Sequence, residues 1–287
     1  MTASGTFGYG TEPGHAFDIQ KLGAIVCKST TLEPRDGNPQ PRLAETPSGM
    51  LNSIGWENIG SDALISEKAP VWAKWKVPVI VNLAGDSVED YAQLAAKLDG
   101  VAGIKAIEVN ISCPNVEAGG VEFGMNPDSA ATVIAATRKA TKLPMLVKLT
   151  PNAPDLPAVA RAVAGVGADA LTVVNTLKGM AIDTARRRPL LGNVTGGLSG
   201  PAIKPVALYM VYQAAGAVDI PIIGCGGITT AGDAIEFIMA GAAAVQVGTA
   251  GFGTPRAPLD ILEGIERYLD KEGVSKLTDL IGVARRG

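Results

Sequence analysis

Seven short apolar runs recur along the chain, and helical stretches separate most of them. The runs cover residues 24–28, 77–85, 104–112, 144–150, 170–176, 220–227 and 244–250. They are apolar over most of their length instead of alternating, which is typical of parallel strands that are buried on both faces. Amphipathic segments at residues 88–98, 127–141 and 231–240 are predicted to be helices between the strands. The pattern therefore predicts an α/β fold around a parallel sheet.

Two architectures fit this alternation, an open doubly wound sheet and a (β/α)₈ TIM barrel. Polar residues or glycines fall at or near the C-terminal ends of the runs, namely Lys28, Asn82, Asn110, Lys148, Asn175 and the pair Gly226-Gly227. In a barrel those ends converge on one mouth, where active sites are built, so the barrel is favoured. The eighth strand has one candidate, residues 2–5, which we interpret as the tail of a first strand truncated at the N-terminus.

The length of 287 residues suits one barrel, so we expect a single domain spanning residues 1–287. Two long segments interrupt the regular alternation of strands and helices. Residues 31–58 are rich in proline and glycine, and residues 177–200 have a similar irregular composition. Both are predicted to be elaborated loops over the mouth of the barrel.

Composition excludes several classes of protein. Lysine plus arginine number 25 and aspartate plus glutamate 28, so the net charge of −3 gives no electrostatic case for binding nucleic acid. Three cysteines cannot hold an ordinary iron–sulfur cluster, and one histidine rules out a multi-histidine metal site, so no metal is expected. We see neither a signal peptide nor an apolar stretch of about 18 residues, so a cytoplasmic protein without a membrane span is expected.

Glycines and lysines at the strand ends indicate an anionic ligand. Gly224-Cys-Gly-Gly227 and Gly248-Thr249 end the last two runs, where barrels commonly bind phosphate with backbone N–H groups. Tight packing at the strand ends is the alternative explanation for these glycines. Lys28 and Lys148 also end runs, and two such lysines at one mouth suit a ligand with delocalised negative charge, unless they lie on the outer surface.

Amide side chains form a second group near the predicted mouth, namely Asn52, Asn82, Asn110, Asn115 and Asn175. Each amide offers two donors and one acceptor, so a ring of amides suits a heterocycle with alternating N–H and C=O groups, such as a pyrimidine. The alternative is that each amide satisfies loose backbone groups at its own strand end.

Cys113 is the candidate catalytic residue. It lies one residue past a predicted strand, in a polar loop that continues to the pair Gly119-Gly120. A lone cysteine is more often a small buried apolar residue, and we interpret Cys27 and Cys225 in that way because they lie inside strands. The loop position and polar neighbours distinguish Cys113 from them.

Several motifs in this chain resemble those of class 1 dihydroorotate dehydrogenases. They are Asn110-Ile-Ser-Cys-Pro-Asn115, Lys28-Ser-Thr-Thr31, Gly37-Asn-Pro-Gln-Pro-Arg42, Asn52-Ser-Ile-Gly55 and Gly197-Leu-Ser-Gly-Pro-Ala-Ile-Lys-Pro205. The resemblance covers essentially the whole chain in the right order. The segments Asn115-Val-Glu-Ala-Gly-Gly120 and Gly197-Leu-Ser-Gly-Pro201 are most similar to the catalytic subunit of the NAD-linked class 1B.

The resemblance implies oxidation of (S)-dihydroorotate to orotate in de novo pyrimidine (UMP) synthesis, with bound FMN. Cys113 would take the proton from C5 while hydride leaves C6 for flavin N5. The resemblance assigns substrate binding to Lys28, Asn52, Ser53, Ile54, Gly55, Trp56, Asn110, Asn115, Asn175 and Thr176. It assigns FMN binding to Ser4, Lys28, Ser29, Asn82, Asn110, Lys148, Val174, Gly200, Gly226, Gly227, Gly248 and Thr249.

The same resemblance implies partners. Class 1B enzymes work with an iron–sulfur subunit that contains FAD and passes electrons to NAD, and a homodimer of the catalytic chain is expected. The chain has no Gly-x-Gly-x-x-Gly between a strand and a helix, which agrees with a dinucleotide site on another polypeptide.

Two features depart from the family pattern, and two alternative functions stay open. The chain begins two residues before the Ala3-Ser-Gly5 segment, and Trp56 stands where an aliphatic residue is expected. A dihydropyrimidine dehydrogenase-like flavoenzyme is one alternative, although those enzymes tend to carry histidine at the position of Asn115. The other is a non-catalytic flavin-binding scaffold barrel.

Overall fold

A computed structural model describes residues 1–12, 16–112 and 123–286 of the chain, so Cys113 and Asn115 lie outside the described residues. The strands in chain order are β1 (Ile25–Val26), β2 (Leu43–Thr46), β3 (Gly49–Asn52), β4 (Val79–Leu83), β5 (Ile104–Asn110), β6 (Met145–Leu149), β7 (Ala170–Val173), β8 (Leu177–Gly179), β9 (Ile182–Asp183), β10 (Arg188–Pro189), β11 (Gly196–Ser199), β12 (Ile222–Cys225) and β13 (Ala242–Gln246).

The α-helices are α1 (Gly60–Ala63), α2 (Ala69–Trp72), α3 (Val88–Leu98), α4 (Pro127–Ala140), α5 (Leu156–Gly165), α6 (Lys204–Ala214), α7 (Ala231–Ala240), α8 (Ala250–Gly253) and α9 (Ala257–Glu272). A π-helical segment, Leu64–Lys68, joins α1 to α2. Short 3₁₀ helices cover Ile19–Lys21, Phe123–Met125, Pro201–Ile203, Leu277–Leu280 and Val283–Arg285. Over the described ranges of the chain, none of the helices combines the length and the apolar character needed to cross a membrane.

The predicted helices form where the sequence places good N-terminal caps. The Ser87 hydroxyl accepts from Asp90 N–H at the start of α3, and Thr230 does the same with Asp233 at the start of α7. Both starts are capping boxes, which satisfy backbone donors that the first helical turn leaves free. Asn126 caps α4 immediately before its proline. These caps explain why all three helices start at the predicted residues; α3 and α7 also end as predicted, and α4 ends one residue earlier.

Seven parallel strands form the main sheet in the order β1-β4-β5-β6-β7-β12-β13. The sheet is curled, and residues 1–3 lie between its two edge strands. Thr2 pairs in parallel with Val247 just beyond β13, and its backbone N–H donates to the Ala24 carbonyl just before β1. Each edge therefore has a hydrogen-bonded neighbour, as a barrel requires. The structure confirms the predicted TIM-barrel-like α/β fold, with residues near the N-terminus in the place of the eighth strand.

The two long segments are not loops throughout, contrary to the prediction. Strands β2 and β3 lie within residues 31–58, and β8 and β11 lie at or near residues 177–200. These four strands form a second, antiparallel sheet in the order β2-β3-β11-β8, and β9 pairs with β10. The prediction missed them because each strand has only two to four residues, and β3 pairs with β11 far along the chain.

Side chains inside the barrel are arranged in layers because alternate residues of a strand point to the same face. A small apolar cluster fills the interior, formed by Ala24, Val26, Ile80, Ala106, Leu146 and Ile223. Two residues further along several strands, the side chains are polar and buried, namely Asn82, Glu108, Lys148, Thr172 and Gln246. A larger apolar core packs the helices against the outside of the barrel. The polar layer therefore lies next to the C-terminal mouth, where it forms the floor of the candidate site.

Candidate active site

A cavity of about 350 Å³ opens at the C-terminal ends of the barrel strands. This volume lies within the range of small-molecule sites. Most of the residues predicted to bind a ligand line it, namely Ser4, Lys28, Ser29, Asn52, Ile54, Gly55, Trp56, Asn110, Lys148, Val174, Asn175, Thr176, Gly200, Gly226, Gly227, Gly248 and Thr249. The structure therefore brings together in one cavity residues that are up to 245 positions apart in the chain (from Ser4 to Thr249).

Two predicted site residues lie behind the cavity wall instead of in it. Ser53 is fully buried, and its hydroxyl accepts a hydrogen bond of 3.0 Å from Asn38 Nδ2. Asn82 is also fully buried; its Oδ1 accepts from the Ser29 hydroxyl at 2.5 Å. Since Ser29 lines the cavity, Asn82 contacts it through Ser29. Both residues support neighbouring side chains in this structure.

Lys148 points into the barrel, which is one of the two orientations open to a lysine in the middle of β6. Its side chain is 4% exposed, and Nζ donates a hydrogen bond of 3.2 Å to the Ser4 hydroxyl. Glu108 Oε1 lies 4.0 Å from the same Nζ. A buried ammonium is tolerated where an opposite charge and polar partners compensate for its lost hydration. The floor of the cavity therefore presents a positive group with a carboxylate behind it.

Lys28 provides the second positive group, at the rim. Its Nζ lies 3.8 Å from Glu57 Oε1, and the other oxygen of Glu57 accepts a hydrogen bond from Arg42. The side chains of Lys28 and Glu57 are 26% and 48% exposed, so solvent screens this pair. An anionic ligand in the cavity could therefore compete with Glu57 for Lys28 at little cost. Arg42 holds the glutamate on the far side.

Two of the predicted amides meet through Ser112. The Ser112 hydroxyl donates to Asn110 Oδ1 at 2.8 Å and accepts from Asn175 Nδ2 at 2.9 Å. Asn175 Oδ1 accepts from the backbone N–H of Thr176 at 2.9 Å. These bonds fix which end of each amide faces which neighbour, so the pair is oriented before any ligand binds. Asn52 lies on the other side of the cavity, where its Nδ2 donates to the Gly197 carbonyl at 3.2 Å.

The glycines at the strand ends are required first by packing. Gly226 and Gly227 have φ angles of 130° and 73°, which side chains rarely tolerate. A Cβ on Gly226 would lie 2.7 Å from the Cβ of Ala207, and one on Gly227 would lie 2.7 Å from the backbone nitrogen of Lys204. The alternative explanation of tight packing therefore holds for these two positions, and close approach of a ligand is not needed to explain them.

The same backbone nevertheless offers donors to a ligand. Within the residues that the structure describes, no hydrogen bond uses the backbone N–H groups of Gly226, Gly227 or Gly248. In the floor, Gln246 is only 1% exposed, and its Oε1 atom is buried without a hydrogen-bond partner. Such groups are rare unless a water or ligand satisfies them. Free N–H groups for a phosphate, a buried lysine and an unpaired amide oxygen fit FMN, the cofactor implied by the resemblance.

Trp56, the departure from the family pattern, lies in the cavity wall with a φ of 55°. The Arg35 guanidinium lies over the indole ring at 5.3 Å from its centroid, and Arg35 also pairs with Asp86 at 2.5 Å. Cation–π contacts of this kind stabilise an exposed pair by roughly 0.5–1 kcal/mol. The arginine therefore holds the tryptophan against the wall of the cavity.

The two strand cysteines behave as apolar residues. Cys27 is fully buried, and burial raises the pKa of its thiol to about 12. Burial also raises the pKa of Cys225, which lines the inner part of the cavity at the end of β12. Neither thiol ionises near neutral pH, which supports the interpretation of both as packing residues.

Among the residues at or beside the site that were not predicted from the sequence, four take part in its charge and hydrogen-bond arrangement. Glu57 and Gln246 line the cavity, Glu108 lies in its floor, and Ser112 orients the two amides. Glu108 carries a signal that could have been used. A glutamate in the middle of a buried strand must have buried partners, because an isolated buried charge is very costly. Gln246 carries the same signal, since it lies in the apolar run 244–250, whereas nothing in the local sequence around Glu57 or Ser112 points to a role in the site.

Comparisons with known proteins agree on one family. A family model described as dihydroorotate dehydrogenase matches residues 1–269. A protein of Pelobacter propionicus is 56% identical over 282 residues, which are 98% of this chain and 93% of the relative. Proteins of Trichlorobacter lovleyi and Desulforamulus reducens are also 56% identical, with 98% and 99% of this chain and 93% of each relative covered. All three carry the name dihydroorotate dehydrogenase B (NAD(+)), catalytic subunit.

Proposed function

Because the chain belongs to the dihydroorotate dehydrogenase family, we propose that it oxidises (S)-dihydroorotate to orotate in pyrimidine synthesis, with FMN bound in the cavity at the barrel mouth. One observation supports the proposal most directly. Lys28, Lys148 and the oriented amides of Asn110 and Asn175 surround one cavity. Two cations suit a carboxylate substrate and a flavin, and the amides suit the N–H and C=O groups of a pyrimidine. The whole of residues 1–287 would form one FMN-binding domain.

The cofactor would be held by groups at one end of the cavity. The free backbone N–H groups of Gly226, Gly227 and Gly248 are suited to its phosphate, with Gly200 and the Thr249 hydroxyl beside them. Lys148, Ser4 and Val174 are suited to its ring system. When bound, FMN supplies the two-electron acceptor that receives the hydride from C6 of the substrate.

The substrate would lie between that ring and the amides. Lys28 attracts its carboxylate, and the segment from Asn52 to Trp56 forms the wall beside it. Asn110 and Asn175 present amide groups whose orientation Ser112 has already set, which lowers the entropy lost when the substrate is positioned. Asn115 would add a further contact from the segment that includes Cys113.

Cys113 would remove the proton from C5 of the substrate. A thiol with an ordinary pKa of about 8.5 is a plausible base near neutral pH, and general-base catalysis contributes about 10²–10⁴-fold to a rate. The other two thiols are poor candidates because burial raises the pKa of each. Cys113 is therefore the thiol that carries the proposal.

Electrons would leave through a partner. We infer an iron–sulfur subunit with FAD that passes them to NAD, and a homodimer of this chain, because the similar proteins are named catalytic subunits of an NAD⁺-linked enzyme. Co-expression with an iron–sulfur polypeptide that contains FAD, followed by gel filtration, would test both associations. Purification of this chain alone, without a flavin-containing partner, from its native source would contradict the first.

The reaction is tested by anaerobic stopped-flow reduction of the yellow protein. Dihydroorotate should bleach the flavin of the wild type, whereas Cys113→Ala should retain FMN, still bind orotate and be reduced at least 10²-fold more slowly. Cys27→Ala is the matched control, since it removes a thiol that lies outside the cavity. An unchanged rate in Cys113→Ala would refute the role of the thiol. Bleaching by a dihydropyrimidine alone would favour the related enzyme, and no bleaching at all would favour a scaffold.

A further inference from the structure

We propose that Glu108 is a positioning residue of the flavin site, which directs Lys148 toward the cofactor and sets both FMN affinity and the flavin reduction potential. The proposal rests on the proposed function, because it concerns the same cavity. Glu108 is fully buried in the barrel, and it is assigned no role by the resemblance or by the mechanism above. A buried carboxylate without a role would be a costly feature to keep.

The Glu108 carboxylate joins side chains from three other strands. Oε1 accepts a hydrogen bond of 2.7 Å from Asn82 Nδ2, on β4. Oε2 accepts from the Thr172 hydroxyl at 2.7 Å and from Gln246 Nε2 at 2.6 Å, on β7 and β13. With Lys148 on β6, the network spans the barrel directly below the cavity. Its members cannot shift independently, so Glu108 is placed to hold the whole floor.

The charge of Glu108 determines how the neighbouring amides are oriented. An ionised carboxylate only accepts hydrogen bonds, so every neighbour must present a donor to it. Asn82 therefore directs its NH₂ group to Glu108 and its oxygen to the Ser29 hydroxyl, at the cavity wall. Gln246 likewise uses its NH₂ group on Glu108, which leaves its Oε1 without a partner. A neutral amide at position 108 would bring a donor of its own and remove this constraint.

The distance between Glu108 and Lys148 allows electrostatic attraction but no hydrogen bond. At 4.0 Å, Glu108 Oε1 is too far from Nζ for a hydrogen bond but close enough for a strong interaction in a buried site. An ammonium has three donors, and one is used on Ser4. Lys148 thus has an opposite charge nearby while donors remain for a ligand in the cavity. A closer carboxylate would have taken one of them.

The consequence for a flavin follows from the sign of each charge. Reduction adds negative charge to the ring, so a nearby cation favours the reduced form and a nearby carboxylate disfavours it. Removing the negative charge of Glu108 should therefore raise the flavin reduction potential, and removing the positive charge of Lys148 should lower it. Both changes should weaken FMN binding, because each disturbs the floor. If Glu108 and Lys148 only supported the fold, their replacement would not shift the flavin reduction potential in opposite directions.

The test compares Glu108→Gln, Lys148→Met and the wild type. Dissociation constants for FMN come from fluorescence quenching on refilling the apoprotein, and potentials from equilibrium titration of the holoenzyme with reference dyes. Glu108→Gln should bind FMN at least tenfold more weakly, and its potential should rise by at least about 30 mV, the value of a tenfold change for two electrons. Lys148→Met should shift the potential downward. Glu272→Gln, an exposed carboxylate on α9, is the control and should match the wild type.

Each result decides the proposal. Wild-type affinity and potential in Glu108→Gln would overturn it, as would a downward shift of the potential. If Glu108→Gln does not fold, Glu108→Asp keeps the charge and shortens the side chain, so the potential should stay near that of the wild type while FMN affinity falls. Unchanged affinity in Glu108→Asp would then overturn the proposal. Failure of the wild type to bind FMN, or to be bleached by dihydroorotate, would instead refute the proposed function.

Discussion

Gly227→Ala separates the two explanations for the glycines at the phosphate end of the cavity. Gly227 has a φ of 73°, and an added Cβ would lie 2.7 Å from both the backbone nitrogen and the Cβ of Lys204, at the start of α6. Real Cβ atoms are essentially never that close to backbone atoms, so either the loop or α6 has to move. The substitution should therefore destabilise the protein even when no ligand is present.

Two contributions set the expected loss of stability, namely the backbone strain at position 227 and the overlap of the added Cβ with Lys204. A non-glycine residue in the left-handed region costs about 1–2 kcal/mol. Overpacking against a fixed neighbour typically costs a further 1–3 kcal/mol. The sum is about 2–5 kcal/mol, and for a chain of this size it should lower the Tm of the apoprotein by at least about 4 °C.

The assay is thermal unfolding of the apoprotein followed by circular dichroism, with FMN affinity measured in parallel. Gly165→Ala is the matched control. Gly165 lies in α5, and a Cβ there would meet nothing within 4 Å. Alanine is better than glycine in a helix by roughly 0.5–1 kcal/mol, so this variant should be slightly more stable than the wild type.

One result would refute the packing explanation for Gly227. If apo Gly227→Ala unfolds at the wild-type temperature but loses FMN, glycine is needed at position 227 for the ligand and not for packing. The packing explanation would then be wrong for this position, and the close contact with Lys204 would have to be relieved by a small movement of α6.

Three further predictions concern individual charges and thiols. Lys148→Ala should bind FMN about 10–150-fold more weakly, since a hydrogen bond to a charged group contributes about 1.5–3 kcal/mol, and a fully yellow variant after gel filtration would contradict this. Burial opposes ionisation of Asp233, but hydrogen bonds from Lys204 and Thr229 outweigh it and hold the pKa of Asp233 well below its ordinary value. Asp233→Asn should thus be less stable than the wild type at pH 7, and the difference should shrink as pH falls below about 4, in urea unfolding at several pH values. Cys27, whose pKa burial raises to about 12, should resist iodoacetamide at pH 8 until the protein is unfolded, as mass spectrometry of the labelled peptides would show.

The sequence predicted the seven barrel strands and two helices closely because local signals determine them. Each apolar run contains one barrel strand or overlaps it, with differences of a few residues at the ends. Capping residues such as Ser87 and Thr230 place the starts of α3 and α7. The orientation of Lys148, in contrast, was open until the curvature of the sheet was known. A lysine on a strand buried on both faces can point either way, and only the closed barrel determines which face is inside.

The sequence pointed to residues that end strands and line the cavity, and it missed residues that contact the cavity through a neighbour. Asn110 and Asn175 were identified, but Ser112, which orients both, was not. Asn82 was expected at the mouth, yet it lies one layer below and contacts the cavity through Ser29. Such relations depend on which strands become neighbours, and no local pattern in one strand contains that information.

By itself, the sequence determined that seven buried parallel strands alternate with helices and that lysines and amides end them. It also carried the motifs that identify the family. The tertiary structure alone decided how the edges of the sheet are satisfied, with Thr2 between Val247 and Ala24, because those pairings join opposite ends of the chain. It also decided that Gln246 on β13 donates a hydrogen bond to Glu108 on β5 across the barrel. Both outcomes depend on closure of the sheet, since closure brings distant strands within hydrogen-bonding distance and gives every inward side chain its partners.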